Sequence, residues 1–295
     1  MNRTVHTVND ALKLTATRLD VATLATLSAA DAPPCNRAGF AKAAGRMGGS
    51  WTGWLGSVEE ARQLFAAGWQ EGADRAEELR DQLAGAIPAG TITRRRRITG
   101  DEGEELRLDA ALAGQWETAW TRRAPVRVDD PAVISLSAGW MASAGVEHEQ
   151  LIWNALQAIV LTDALEAAGY RVELRAIDGT VTYKRHGYTQ LVDMMLKRAE
   201  EPLRADLVAA TIGHAGVYRS LGFQALWTVP KEQQESMGKC LGPDGISKAV
   251  TKAAGAGMIP PVSYVLPRAD NAEQARVNLM FAVAALFPDR AKAAA

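Results

Sequence analysis

The sequence predicts an α/β fold with a mostly parallel sheet, and three adjoining segments carry that expectation. Ala132-Val-Ile-Ser-Leu-Ser137 is a short β-rich run that stops at Ala138-Gly139. Glu149 to Ala168 has helical character and ends at Gly169, the residue type favoured just past a helix C-terminus. Arg171-Val-Glu-Leu-Arg-Ala-Ile177 alternates apolar and charged residues and closes on the turn pair Asp178-Gly179. Together they describe one right-handed βαβ crossover with parallel strands. Ligands of open α/β sheets bind at the carboxyl ends of such strands, so a candidate site is placed before its chemistry is known.

The remaining elements follow from local pattern. Asn9 to Thr26 reads as a weakly amphipathic helix, its propensity lowered by threonines. Ala38 to Gly56, rich in Gly, Ala and Trp, reads as irregular. Ser57-Val-Glu-Glu60 is a capping box that opens a helix with an apolar stripe at Val58, Ala61, Leu64 and Phe65, ended by Gly68. A second helix is expected over Gly72 to Leu83. After the crossover come a strand at Thr180 to Lys184, an apolar segment at Leu191 to Leu196 and a helix from about Arg204 to Leu221. Phe223-Gln-Ala-Leu-Trp-Thr-Val229 reads as a strand, Lys231 to Gly257 as a mobile, partly helical stretch, Val262 to Leu266 as the last core strand, and Asn271 to Leu286 as the closing helix. The expected organisation is a helical, Trp/Gly-rich accessory region over 1–90, a charged connecting segment over 91–130 and the α/β domain over 131–290.

Composition bounds the function classes. Hydrophobic residues make up 47% of the chain, enough for a large core. The net charge of −1 supplies no global field toward nucleic acid or membrane. Two cysteines, Cys35 and Cys240, form neither a disulfide framework nor a zinc set, which fits a reducing cytoplasm. No apolar run has the length of a membrane span.

Candidate site residues come from the strand ends. Ser137, Ser143 and His148 are placed to line a cleft there, with Asp178 ending the neighbouring strand. Catalysis by a Ser–His pair also needs an orienting acid and an oxyanion hole, and no Gly-x-Ser-x-Gly elbow supplies them. His214 and Arg219, five apart on a regular helix, would fall on different faces. Arg94, Arg95, Arg96 and Arg97 are candidates for phosphate contact, or for pairing with the acidic stretch Asp101 to Glu105. Of the eight tryptophans most are expected in the core, and any exposed subset would mark a partner surface.

The alternation from Ala132 to Leu286 resembles a von Willebrand A-like domain. Gly56-Ser-Val-Glu-Glu-Ala-Arg62, Gly100 to Asp109, Ala164 to Glu173 and Gly213 to Phe223 together resemble an uncharacterised family of phage-encoded and actinobacterial proteins. Such α/β domains often hold Mg²⁺ through Asp-x-Ser-x-Ser at the first core strand. Here Ser135-Leu-Ser137-Ala-Gly139 lacks the aspartate, so neither a metal nor another cofactor is expected. The resembled family carries no established activity to transfer. A well-formed α/β core without a complete catalytic set, beside Trp-rich accessory helices, leads to the expectation of a non-enzymatic interaction or assembly protein of phage or prophage origin, cytoplasmic in the host or associated with the virion. Its partner would be a protein, such as a virion component or an AAA+ ATPase. Two alternatives stay open: an enzyme acting through Ser137, His148 and Asp178, and a nucleic-acid-associated protein using Arg94 to Arg97.

Overall fold

A computed structural model describes residues 4–34, 36–39, 47–80, 83, 86–88, 92–128, 133–140, 145–181, 188–228 and 239–288. Its centre is a seven-stranded mixed sheet. The strands are β1 (Val5–Asn9), β2 (Leu14–Asp20), β6 (Val133–Gly139), β7 (Arg171–Val181), β8 (Thr189–Lys197), β9 (Lys239–Cys240) and β10 (Tyr264–Leu266). The order is β1-β2-β8-β7-β6-β10, with β9 also on β7. β7, β6 and β10 form a parallel block, as do β2 and β8, while β8 meets β7 antiparallel. The strands expected at 132–137, 171–177 and 262–266 are found as β6, β7 and β10, parallel to one another, with residue 132 outside the described part and β10 confined to Tyr264–Leu266.

Alternation along the strands sorts the side chains into two cores. Ile134, Leu136 and Ala138 of β6 and Val172, Leu174 and Ala176 of β7 belong to one cluster, with helix α6 (His148–Ala167) over them. Ile177 of β7, Leu191 of β8 and Leu14 and Ala16 of β2 belong to the other, covered by α10 (Pro243–Gly255) through Ile246, Ala249, Val250 and Ala253. Helix α6 is apolar nearly all round because it is enclosed on both sides. Below it is the sheet; above it are α3 (Gln70–Asp74), α4 (Glu77–Arg80), the 205–213 segment and α11 (Ala272–Leu286). Glu147 and Gln150 close a reciprocal capping box at its start. Leu156 is fully buried in this layer, so Leu156→Ala is expected to lower stability by roughly 2–5 kcal/mol in urea unfolding. A loss under about 0.5 kcal/mol would place the helix at the surface.

Several expectations are corrected. Asn9 to Thr26 is not one helix but the β1–β2 hairpin followed by the short α1 (Val21–Thr26). Its threonines alternate: Leu14, Thr15, Ala16 and Thr17 are all buried, because β2 is covered on both faces and paired on both edges. The α2 helix (Val58–Ala67) matches, with Ser57 accepting from the Glu60 N–H at 3.1 Å, although Glu60 reaches back to the Gly56 N–H rather than that of Ser57. The helix expected over 72–83 is split into α3 and α4. The Asp178-Gly179 pair does not turn; β7 runs through it to Val181, and residues 182–184 lie outside the described part.

The expected strand at 223–229 is a helix, α9 (Phe223–Leu226), residue 229 lying outside the described part. It ends a buried helical rod assembled from α7 (Ala205–Val208), a π segment Ala209–Gly213, α8 (Ala215–Val217) and a second π segment Tyr218–Gly222. Within Lys231 to Gly257, residues 243–255 form the regular helix α10, and 231–238 lie outside the described part. The charged segment 91–130 contains a separate three-stranded antiparallel sheet, β3 (Ile92–Gly100), β5 (Trp120–Val128) and β4 (Glu105–Leu106), in the order β3-β5-β4. Its α5 (Leu108–Leu112) and the 3₁₀ turn Trp116–Thr118 carry exposed Leu108, Leu112 and Trp116.

Candidate functional site

The sheet makes a notch where β6 ends. Gly139 pairs with Ile177, and the Trp140 N–H closes the pairing on the Ile177 carbonyl at 2.8 Å. β7 continues, and β9 takes the edge that β6 vacates, with Cys240 opposite Thr180 and the Leu241 N–H on the Gly179 carbonyl at 2.9 Å. Asp178 sits at this change of partner. Above the notch opens a cleft of about 740 Å³, within the range of small-molecule sites. Gly139, Cys240, Leu241 and Gly242 line one side, and Leu266 to Arg268, Glu273, Val277 and Asn278 line the other. It lies at the carboxyl ends of β6 and β10, the position expected for an open α/β sheet.

The loop 267–270 is held against α6 and α11 by amides. Gln157 Nε2 and Asn278 Nδ2 both donate to the Pro267 carbonyl, at 2.7 and 3.1 Å. The Ala269 N–H donates to Asn154 Oδ1 at 2.8 Å. That fixes Arg268 at the cleft wall, where Nε donates to Asp270 at 2.7 Å. Beneath the cleft the Asp178 carboxyl is fully buried, and neither oxygen meets a donor at good hydrogen-bond geometry. Burial pushes its pKa up to about 7, against weaker opposing pulls from the Gly179 N–H and the Tyr218 hydroxyl. Tyr218 also approaches the Cys240 thiol, which burial and then the Asp178 charge push up to about 11. Of these three only Cys240 lines the cleft; Asp178 and Tyr218 lie enclosed behind it. Cys240 is held as a thiol rather than as a nucleophilic thiolate.

The structure separates the candidate residues named from sequence. Ser135 and Ser137 alternate with Ile134, Leu136 and Ala138, so they lie on the α10 face of the sheet. Asp178 continues the row Val172, Leu174, Ala176 on the α6 face. Ser137 is buried without a partner for its hydroxyl, yet the sheet divides it from both Asp178 and His148. For the same reason Asp178 does not join Ser135 and Ser137 in a cation site. Among the described residues no group of three or more His, Cys, Asp or Glu converges for a metal. Ser143 and Cys35 lie outside the described residues. Arg94 to Arg97 fall within β3, with Arg97 opposite Arg123 in register.

His148 pairs with a residue that sequence reasoning set apart. Its ring lies 4.6 Å from that of His214, with Trp69 against both at 5.7 and 5.0 Å. Both rings accept backbone N–H groups at Nδ1, His148 from Ala215 at 3.3 Å and His214 from Gly216 at 3.1 Å. Both are held neutral. Burial lowers the His148 pKa, and burial followed by the charge of His148 lowers that of His214 to about 3. Arg219 is close by in the fold: it is buried, donates to the carbonyls of Trp51 and Val146, and lies 4.6 Å over the Trp51 ring. His214 and Arg219 thus both serve the 50–53 turn. The extended backbone at His214 and the wide π turns break the 100° per residue on which their separation was argued. This cluster is well packed: a Cβ on Gly53, whose φ is +60°, would lie 2.8 Å from His148 Nδ1. It reads as a structural joint rather than a site.

A family model described as Domain of unknown function (DUF7192) matches residues 21–281. The chain belongs to this family. The family match runs from α1 into α11, so the cleft and the β3–β5 sheet are inside it, whereas β1 and β2 precede it. No curated protein and no solved structure matches the chain. Among the described residues no helix is long and apolar enough to cross a membrane.

Proposed function

We propose that the chain is a non-enzymatic binding protein of phage or prophage origin, with a von Willebrand A-like core whose strand-end cleft receives a protein partner. One observation carries the reading. Val277, which walls the cleft, continues into an exposed apolar ridge with Met280 and Phe281 at i, i+3 and i+4 on α11. A recess beside exposed large side chains is the form of a protein interface, with an anchor pocket and an apolar surround. The parallel β7–β6–β10 block with helices on both faces supports the core assignment. The division of Ser137 from His148 and Asp178 by the sheet weighs against the enzyme alternative.

The test is site-specific photo-crosslinking in the producing cell. A crosslinking residue at Val277 should capture one discrete protein, and Phe281→Ser should weaken that capture. Capture only from Leu112, on the separate small sheet, would move the interface there. Capture from neither position would overturn the reading.

A further inference from the structure

The small sheet gathers arginines in a way that their order in the sequence does not show. β3 and β5 pair antiparallel from Ile92 opposite Val128 to Gly100 opposite Trp120. β4 pairs only with Trp120 and Thr121, so among the described residues 92–98 and 122–128 form a ribbon two strands wide. Residues opposite one another in such a pair share a face, and neighbours along a strand alternate between faces. Parity therefore divides the run Arg94 to Arg97. Arg94 and Arg96 fall on one face, in register with Val126 and Ala124 and between Ile92 and Ile98. Arg95 and Arg97 fall on the other, opposite Pro125 and Arg123, and the adjoining rung of that face is Thr93 opposite Arg127.

The second face thus has four arginines, Arg127, Arg95, Arg97 and Arg123, on three successive rungs. Rungs on one face repeat about every 6.8 Å, so these charges occupy about 14 Å of ribbon. Glu105 stands opposite Thr121, on the rung after Arg97 and Arg123, and offsets one of them at that end. Glu102 of the same acidic stretch is instead bonded to Arg122 at 2.9 Å, and Arg122 belongs by parity to the opposite face. An arginine directly opposite another is unfavourable in an isolated sheet. It becomes favourable when an anion lies across the pair.

We propose that this face of the β3–β5 ribbon binds the phosphates of duplex DNA. A two-stranded ribbon has the width that the major groove admits. Arginine is the residue type that meets phosphate with paired N–H groups. Phosphate contacts position a protein on the duplex without reading its sequence, so binding here is sequence-independent. Among the described residues the ribbon contributes nothing to the lining of the cleft, so this inference and the protein-partner reading stand or fall separately.

The test is fluorescence anisotropy of a labelled DNA duplex of mixed sequence, titrated with the full chain over a series of salt concentrations. Affinity should fall with salt, with a log–log slope of roughly −3 to −4 for four phosphate contacts. Arg97→Gln with Arg123→Gln should weaken binding at least about tenfold at low salt and make the slope shallower by about two. Arg94→Gln with Arg96→Gln removes the same charge from the opposite face and should change affinity less than about threefold. Arg97→Lys with Arg123→Lys keeps the charge and should keep the slope, which separates a lost contact from a disturbed ribbon. Equal losses from the two glutamine pairs would assign binding to net charge and overturn the proposal. So would the absence of salt-dependent binding to the duplex, or tighter binding to single-stranded DNA or to phosphatidylserine vesicles at the same salt.

Discussion

Replacing Asp178 with asparagine is expected to make stability more dependent on pH, not less. Two buried groups with opposite signs now offset one another. His214 has its pKa lowered from 6.5 to about 3 in the fold. Between those values the unfolded chain binds a proton that the folded one refuses, so this contribution is present above pH 6.5 and is lost as pH falls. Asp178 has its pKa raised from 3.8 to about 7. Between those values the folded chain holds a proton that the unfolded one has released, so this contribution is present below pH 3.8 and is lost as pH rises. Each slope is about 1.4 kcal/mol per pH unit, and they overlap from roughly pH 4 to 6.5. Asp178→Asn removes one of them. Its stability should climb across that window by up to about 3 kcal/mol relative to the wild type. His214→Asn, which keeps a side-chain acceptor for the Gly216 N–H, should show the reverse trend. Urea unfolding at a series of pH values decides the matter: parallel profiles for wild type and Asp178→Asn would show that the carboxyl titrates normally in the fold.

Arg219→Met should be among the most destabilising single substitutions in the chain. The guanidinium is fully buried and bridges three parts of the fold: its own π segment, the Trp51 carbonyl in the 50–52 turn and the Val146 carbonyl before α6. Methionine keeps most of the volume but removes the donor to the Trp51 and Val146 carbonyls and the cation–π contact with Trp51. At about 1–3 kcal/mol for each hydrogen bond lost from the charged donor, the loss should be roughly 3 kcal/mol or more. Arg219→Lys should recover little of it, since a single ammonium does not span the two carbonyls that the planar fork reaches. Limited proteolysis should open first within 47–56, where the Trp51 anchor is lost. A loss under about 1 kcal/mol with an intact 47–56 segment would mean that packing alone holds the turn.

The parts legible in the sequence are those where local pattern and global fold agree. The β6–α6–β7 crossover has apolar strands, a capped helix and Gly169 at positive φ just past its end, so every local signal pointed the same way. The N-terminal hairpin was misread because threonine was weighed only as a poor helix former. The same β-branched residues at 15 and 17, alternating with Leu14 and Ala16, are the mark of a strand buried on both faces. The 223–229 segment was misread in the opposite direction. Phe, Trp, Thr and Val favour strands, but Gln224, Ala225 and Leu226 continue a helical run that starts at Ala215, and Arg62 takes up the buried Gln224 amide. The strand-end rule pointed to the region in which the cleft opens, but Asp178 is enclosed and is not among the residues that line it. Cys240, Arg268 and Asp270 were not legible as partners because they reach the cleft from segments far apart in the chain, brought together only by β9 and β10. The face of the sheet on which Ser137 lies was open to parity alone: it is odd-numbered on a strand whose even-numbered residues fill the α6 core.

The pairing of β2 with β8 also has a consequence for how the chain reaches its native state. Residues 14–20 find their parallel neighbour only at 189–197. During synthesis the N-terminal hairpin emerges first, yet Leu14, Ala16 and Leu19 have nowhere to be buried until nearly two hundred residues later. The closing of so long a loop carries an entropic cost before any contact repays it, and such non-local pairing slows folding. The crossover at 133–181, whose contacts are nearer in sequence, is therefore expected to collapse first and to wait for its own beginning. In that interval the waiting strand offers an open edge to any other nascent chain, which makes the first twenty residues the point at which folding competes most directly with aggregation.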